Sequence, residues 1–193
     1  PSRLTLAIMR FRDETGDSVV AAWPVRIQHH LSTQITGMQD IAVLYDEYLN
    51  DLIRSSFGTS DPPSDSRLSA FLRDDITYLI SGSILKEGTS FGIQAALVET
   101  RDGSQLQPFR VDVAGGDQLG QASSDLAGQI LAFLHTNVIQ SDDEDLATWK
   151  QRRPKDWRAV EEFSTAFELI LNNQDAMPRL VKASELDSTF LSP

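Results

Sequence analysis

Apolar residues change their spacing several times along this chain, and each change predicts an element. Leu4 to Phe11 (LTLAIMRF) is almost continuously apolar, as a strand covered on both faces would be, and RDETGDS after it reads as a turn. Beyond Val20 the period becomes four: Trp23, Ile27, Leu31 and Ile35, with Pro24 in a first turn and Gly37 as a stop, predict a helix over 24–36. DIAVLYD, Asp40 to Asp46, predicts a second short strand. The polar, Pro-rich SSFGTSDPPSDS from Ser55 predicts a surface loop, and Ser66 is expected to cap a short helix carrying Leu68, Phe71 and Leu72.

From Ile76 the pattern is that of strands. ITYLISGSIL, SFGIQAALVET and LQPFRVDV are runs of strand length joined by KEGT and RDGS, so they predict an antiparallel meander. Pro108 has no N–H to give to a ladder, which places the third run at the sheet edge. Asp117 is expected to cap a helix with Leu119, Ala122, Leu126, Ile130, Phe133 and Leu134 on one face. A first domain thus spans 1–139. A linker over 140–156, acidic at its front and basic at its back, suits a short helix because each sign sits at the favourable end of the macrodipole. Over 157–193 two helical patterns, Trp157, Val160, Phe163, Phe167, Ile170 and then Ala176, Leu180, Ala183, Leu186, predict an αα-hairpin.

The chain has 193 residues, 40% of them hydrophobic, enough for one full domain and a small addition. Its 28 acidic and 17 basic residues give a formal net charge of -11, which argues against nucleic acid or an anionic membrane face as the main partner. Cysteine is absent, so disulfides and thiolate chemistry are excluded and the redox compartment is unreadable. No apolar run reaches the roughly 20 residues of a membrane helix. The chain opens on Pro1 and stops just after a helical pattern, which reads as a piece of a longer protein.

GTSFG, Gly88 to Gly92, fits the G-x-S-x-G pattern of a serine hydrolase and makes Ser90 a candidate nucleophile. That motif needs a strand, a strained turn and then a helix, whereas here it lies between two strands. The only later imidazole, His135, lies in the last helix of the domain, so the expectation is a hairpin and no enzyme. His29 and His30 are adjacent and leave a helix in different directions, so they make no metal pair and are expected at the surface or partly packed. The run Asp142 to Asp145 lacks the alternation and central Gly of a calcium loop. Asp74 and Asp75 have no pocket to act in, and Gly115, Gly116 and Gly120 lack the Lys of a phosphate loop. Gly82, mid-strand, predicts a close approach by another group. The cluster from Lys150 to Lys155 is an interface hint. No cofactor and no metal site is expected.

Several of these segments resemble a known family. LAIMRFRDETGD, YLISGSI and IQAALVETRDGSQL are similar, in order, to motifs of the TolB-like N-terminal domain of bacterial signalling proteins, and cover most of residues 4–139. The helix pair resembles one tetratricopeptide repeat, with Ser188 where that family usually has Pro. The Met9, Arg10, Phe11 segment departs from the family's Pro-Phe, and the loop over 55–65 is longer. The resemblance implies an α/β fold, a mixed five-stranded sheet with flanking helices akin to the anticodon-binding fold, plus the helical hairpin. It implies no catalytic residue. A single repeat cannot bury both its faces, so Trp149, Trp157, Phe163 and Phe167 are expected to form an interdomain or partner surface. The function this points to is a non-catalytic sensory or scaffolding region that binds a protein, peptide or small ligand. The alternatives are an extracytoplasmic envelope-assembly factor and, last, a hydrolase using Ser90. The extracytoplasmic side of the inner membrane is favoured over the cytoplasm.

Overall fold

A computed structural model describes residues 4–36, 40–44, 46–139, 147, 151 and 155–188. The chain divides into two compact units, residues 1–131 and 132–193.

The first unit is a mixed sheet flanked by helices. Strand β1 (Leu4–Ile8) pairs in parallel with β3 (Ile41–Val43) on one side and with β4 (Tyr78–Glu87) on the other. From β4 the sheet continues antiparallel through β5 (Ser90–Glu99) to β6 (Gln105–Val113), in the order β3-β1-β4-β5-β6. A mixed sheet with flanking helices is what the resemblance implies. A sixth strand, the two-residue β2 (Arg12–Asp13), extends the β1 line along β4. The meander and the edge position of β6 follow the sequence pattern, since two-residue and short Gly-containing turns leave no room for any other connection.

Helix α1 (Trp23–Ile35) joins β1 to β3, and α2 (Asp46–Phe57) with α3 (Asp65–Leu72) joins β3 to β4. These two crossovers run in opposite directions along the sheet, so right-handedness places them on opposite faces. On the α2/α3 face, Leu49, Ile53, Leu68 and Leu72 pack against Ala7, Met9, Leu79 and Val98. By strand alternation Leu6, Ile8, Ile80, Ile84, Ile93 and Leu97 point the other way, all nearly inaccessible, under α1 and α4 (Leu119–Phe133). Past Phe133 the chain continues in wider π turns, Leu134–Ile139.

Three boundaries differ from the sequence pattern. The second strand stops at Val43, and the segment from Asp46 is helical through Phe57. Leu49, Leu52, Ile53 and Phe57 carry a helical period that turns toward the core, with acids at the front and Arg54 in the last turn. The loop is therefore shorter than expected, Gly58 to Ser64. Ser64, not Ser66, precedes α3. Asp117 lies inside a 3-10 turn, Gly116–Gln118, that leads into α4 rather than capping it.

The second unit contains the expected helical hairpin, α5 (Trp157–Leu171) and α6 (Met177–Leu186). Asn173, at φ 53°, carries the turn between them. Glu162 receives Arg179 at 2.7 Å and Lys182 at 2.5 Å, which ties the two helices together. Asp156 starts α5 by accepting the Arg158 N–H at 2.9 Å.

Candidate functional site

Ser90 is the first residue of β5, exposed and opposite Glu87 in the ladder. No helix follows it, because the strand runs on to Glu99. Gly88 has φ 66° at the first central position of the two-residue turn, where a type II′ hairpin calls for a positive φ. Gly92 has a different reason. A Cβ there would stand 2.7 Å from Asp112 Oδ1 and 3.4 Å from Arg110 Nη2, so the missing side chain makes room for an ion pair lying across the strand. Both glycines of the motif are accounted for by the sheet. Among the described residues no side chain hydrogen-bonds the Ser90 hydroxyl.

His135 is buried, its Nε2 without a hydrogen-bond partner among the described residues, and His29 and His30 are engaged elsewhere. Being adjacent on α1 they diverge, as expected. His29 Nδ1 lies 2.9 Å from Asp46 Oδ2 on α2, whose other oxygen accepts the Ser32 hydroxyl at 2.5 Å. His30 is only 1% exposed and meets Ser123 Oγ of α4 at 2.7 Å, with Trp23 edge-on to its ring at 6.2 Å. Burial, helped by the positive charge of His29 and Arg26, pushes His30 down to about 4, so it is neutral at pH 7. This is deeper than the partly packed position expected, and the sequence signal was present: His30 falls in the apolar row of α1 beside Ile27 and Gln34. Ser123 is wholly buried, so the Ser–His contact is a core bond between two helices and admits no substrate. A third pair completes the seam: Gln28 donates to the Ile8 carbonyl at 2.8 Å and exchanges amide bonds with Asn50 at 3.1 and 3.2 Å.

Other sequence candidates resolve into local roles. Gly82 meets the expected close approach, with the Phe11 ring 2.3 Å and the Gln94 carbonyl 2.4 Å from where a Cβ would sit. Asp74 is fully solvated beside Arg73. The Asp117 carboxylate lies 2.7 Å from the Cβ position of Gly115, which puts the wrong sign of charge in that turn for a phosphate. The run 142–145 and most of the basic cluster at 150–155 lie outside the described residues, as does Trp149. Trp157 opens α5 and is half-buried, as is Phe163 one and a half turns on; Phe167 is on the same helix, its side chain outside the described set. No described helix is long and apolar enough to cross a membrane.

A polar shelf remains. On the α2/α3 face of the sheet, the helices cover the first half of β4 and the last half of β5. The same face continues through Ser81, Ser83, Leu85 and Glu87 on β4, Gln94 and Gly92 on β5, and Pro108, Arg110 and Asp112 on β6, as their pairing and alternation require. Ser81 and Ser83 are buried there, Leu85 and Pro108 are apolar, and the remaining polar side chains are bonded to one another or to the two serines. Asp65, at the start of α3, accepts Ser81 Oγ at 2.8 Å and Arg12 Nη2 at 3.4 Å. Gln94 donates to Ser83 Oγ at 3.1 Å. Arg110 bridges Asp112 at 2.8 Å and Glu87 at 3.0 Å. Glu87, Pro108, Arg110 and Asp112 are exposed, and Leu85 and Gln94 half-buried. The strand patterns named these residues as strand, but which of them share a face with Arg12 and Asp65 depends on pairing between distant segments, such as Arg12 with Ser83.

No family model matches the chain, and no curated protein matches it. Among solved structures it is similar to the C-terminal domain of LpoB from Salmonella enterica, at 14% identity over 58% of this chain and 83% of that one, TM-score 0.47. It is likewise similar to lipoprotein GNA1162 from Neisseria meningitidis, at 15% identity over 68% and 97%, TM-score 0.45. TolB from Acinetobacter baumannii is similar at 14% identity over 69% of this chain but 29% of its own length, TM-score 0.43.

Proposed function

We propose that this chain is a non-catalytic binding module whose polar shelf receives a protein or peptide partner. The observation that carries this is the half-covered sheet face: the core stops at Ala96 and Leu79, and beyond them Gln94, Glu87, Arg110 and Asp112 lie accessible on the same face, bonded to one another or to Ser83. Ser90 opens a strand rather than a helix, and His29 and His30 are held by Asp46 and Ser123. A fluorophosphonate probe should leave the protein unlabelled; labelling that disappears in Ser90→Ala would overturn the non-catalytic reading.

The shelf itself is tested by a photo-crosslinking residue at Gln94, compared with one at Gln121, which is exposed on α4. In the native host, position 94 should yield a discrete adduct that position 121 does not. Equal yields from both positions would remove the shelf as the contact surface. The setting we propose is extracytoplasmic, an envelope-assembly role in which the shelf receives a protein partner. Fractionation of the full-length parent checks it, and a parent found wholly in the cytosol sinks it.

A further inference from the structure

The register between β1 and β4 contains a discontinuity. Ile8 stands opposite Ile80 and Arg12 opposite Ser83, so three residues, Met9 to Phe11, face two, Ser81 and Gly82. The β1 line therefore bulges by one residue. Met9 packs in the α2/α3 core and Phe11 lies over Gly82 on the other face. Arg10, the extra residue between them, shares the Ser81 position with Met9, and Arg12 follows on the same face beside Ser83. The bulge thus brings two arginines out together at the carboxyl end of β1.

Neither guanidinium is well served there. The Nε of Arg10 and the Nε of Arg12 are both buried without a hydrogen-bond partner. Arg12 reaches Asp65 only by a long contact of 3.4 Å, and Arg10 makes no ion pair with any described residue. Among the described residues Arg10 thus has no carboxylate in ion-pair reach, although the chain carries 28 acids against 17 Lys+Arg. Buried unpaired donors of this kind cost free energy unless something supplies the acceptor.

We propose that Arg10, with Arg12 beside it, binds a single carboxylate of the partner. The planar fork of a guanidinium matches a carboxylate by two parallel N–H···O bonds, one of them from Nε. The net charge of -11 favours an isolated carboxylate over a polyanion, whose remaining charges would be repelled by the rest of the surface. This deepens the reading of the shelf as a partner surface and rests on it.

The test follows the arginine Nε–H resonances of the whole chain during titration with four probes: a short peptide with a free C-terminal carboxylate, an amidated peptide with one Asp, the same amidated peptide with Asn, and inorganic phosphate. One or both carboxylate peptides should move the Arg10 and Arg12 signals to saturation, and which of them does so tells a terminal from a side-chain source. Arg10→Gln should weaken that binding by about tenfold or more, the effect of one charge-assisted bond, while melting no lower than the parent. Equal response to the Asn peptide, phosphate binding as tight as the carboxylates, or no response to any probe would each overturn the proposal. A melting temperature that falls in both Arg10→Gln and Arg10→Lys would assign Arg10 a structural role and overturn it as well. Failure here with a positional adduct still forming at Gln94 would remove the carboxylate clamp and leave the partner surface standing.

Discussion

Glycines at positions 82 and 92 sit one strand apart on β4 and β5, and their surroundings differ in what can give way. At Gly82 an added methyl would overlap the Phe11 ring and, at 2.4 Å, the backbone carbonyl of Gln94, which is fixed in the β4–β5 ladder. At Gly92 the nearest atom is the end of the Asp112 side chain, which is exposed and free to rotate into solvent. Gly82→Ala should therefore lose about 3 kcal/mol, the upper range for overpacking a tight site. Gly92→Ala should lose under about 1 kcal/mol, the value of the surface pair it displaces. Urea unfolding of the two variants checks the contrast, and equal losses would mean that the Phe11–Gly82 contact does not constrain the sheet. The sequence marked Gly82 as a place of close approach; it gave no sign that Gly92 answers to an arginine 18 residues further on.

Among the elements, α2 is the one that the residue pattern concealed. Its apolar stripe begins inside a run that reads as a strand and ends in Ser-Ser-Phe-Gly, whose composition is that of a loop. Leu49 and Ile53 are nonetheless fully buried against Ala7, Met9 and Leu79. Ile53→Ala should thus cost about 2–4 kcal/mol, as for any large aliphatic residue removed from a core. A surface turn at that position would lose almost nothing, so chemical denaturation separates the two readings. The meander was legible because its Gly turns and alternating strands are local features. The crossovers were not, because their placement on opposite faces follows from strand order, which no single segment encodes. The shelf was illegible for the same reason: Arg12, Asp65, Ser81 and Gln94 become neighbours only after β1 and β4 have paired.

At the scale of the whole molecule, titration of buried and paired groups sets the dependence of stability on pH. His30 holds its proton only below about 4 when folded and below about 6.5 when unfolded, so the unfolded chain takes up a proton that the native one refuses. Its contribution is complete above 6.5 and is lost as pH falls toward 4. The gap of about 2.5 pH units, at about 1.36 kcal/mol each, sets a ceiling of about 3 kcal/mol. Asp17, Asp102, Asp156 and Glu162 are also shifted down, chiefly by hydrogen bonds to Lys86, Ser104, Arg158 and Lys182 respectively. Their contributions persist through that window and fade only as pH drops below the ordinary carboxylate range. Unfolding free energies measured from pH 7 to pH 4 should decline in the parent and decline less in His30→Gln; parallel curves would show that His30 is not buried as neutral imidazole. The sequence by itself determined the strands, most of the helices, the hairpin turn at Ser90 and the acidic character of the chain, because periodicity, turn residues and charge are properties of short segments. Only the tertiary structure decided which face each strand turns outward, that His30 is sealed against Ser123, and that Arg10, at a one-residue bulge, has no ion-pair partner among the described residues. Those depend on register between strands tens of residues apart, where a shift of one position exchanges the buried and exposed sides.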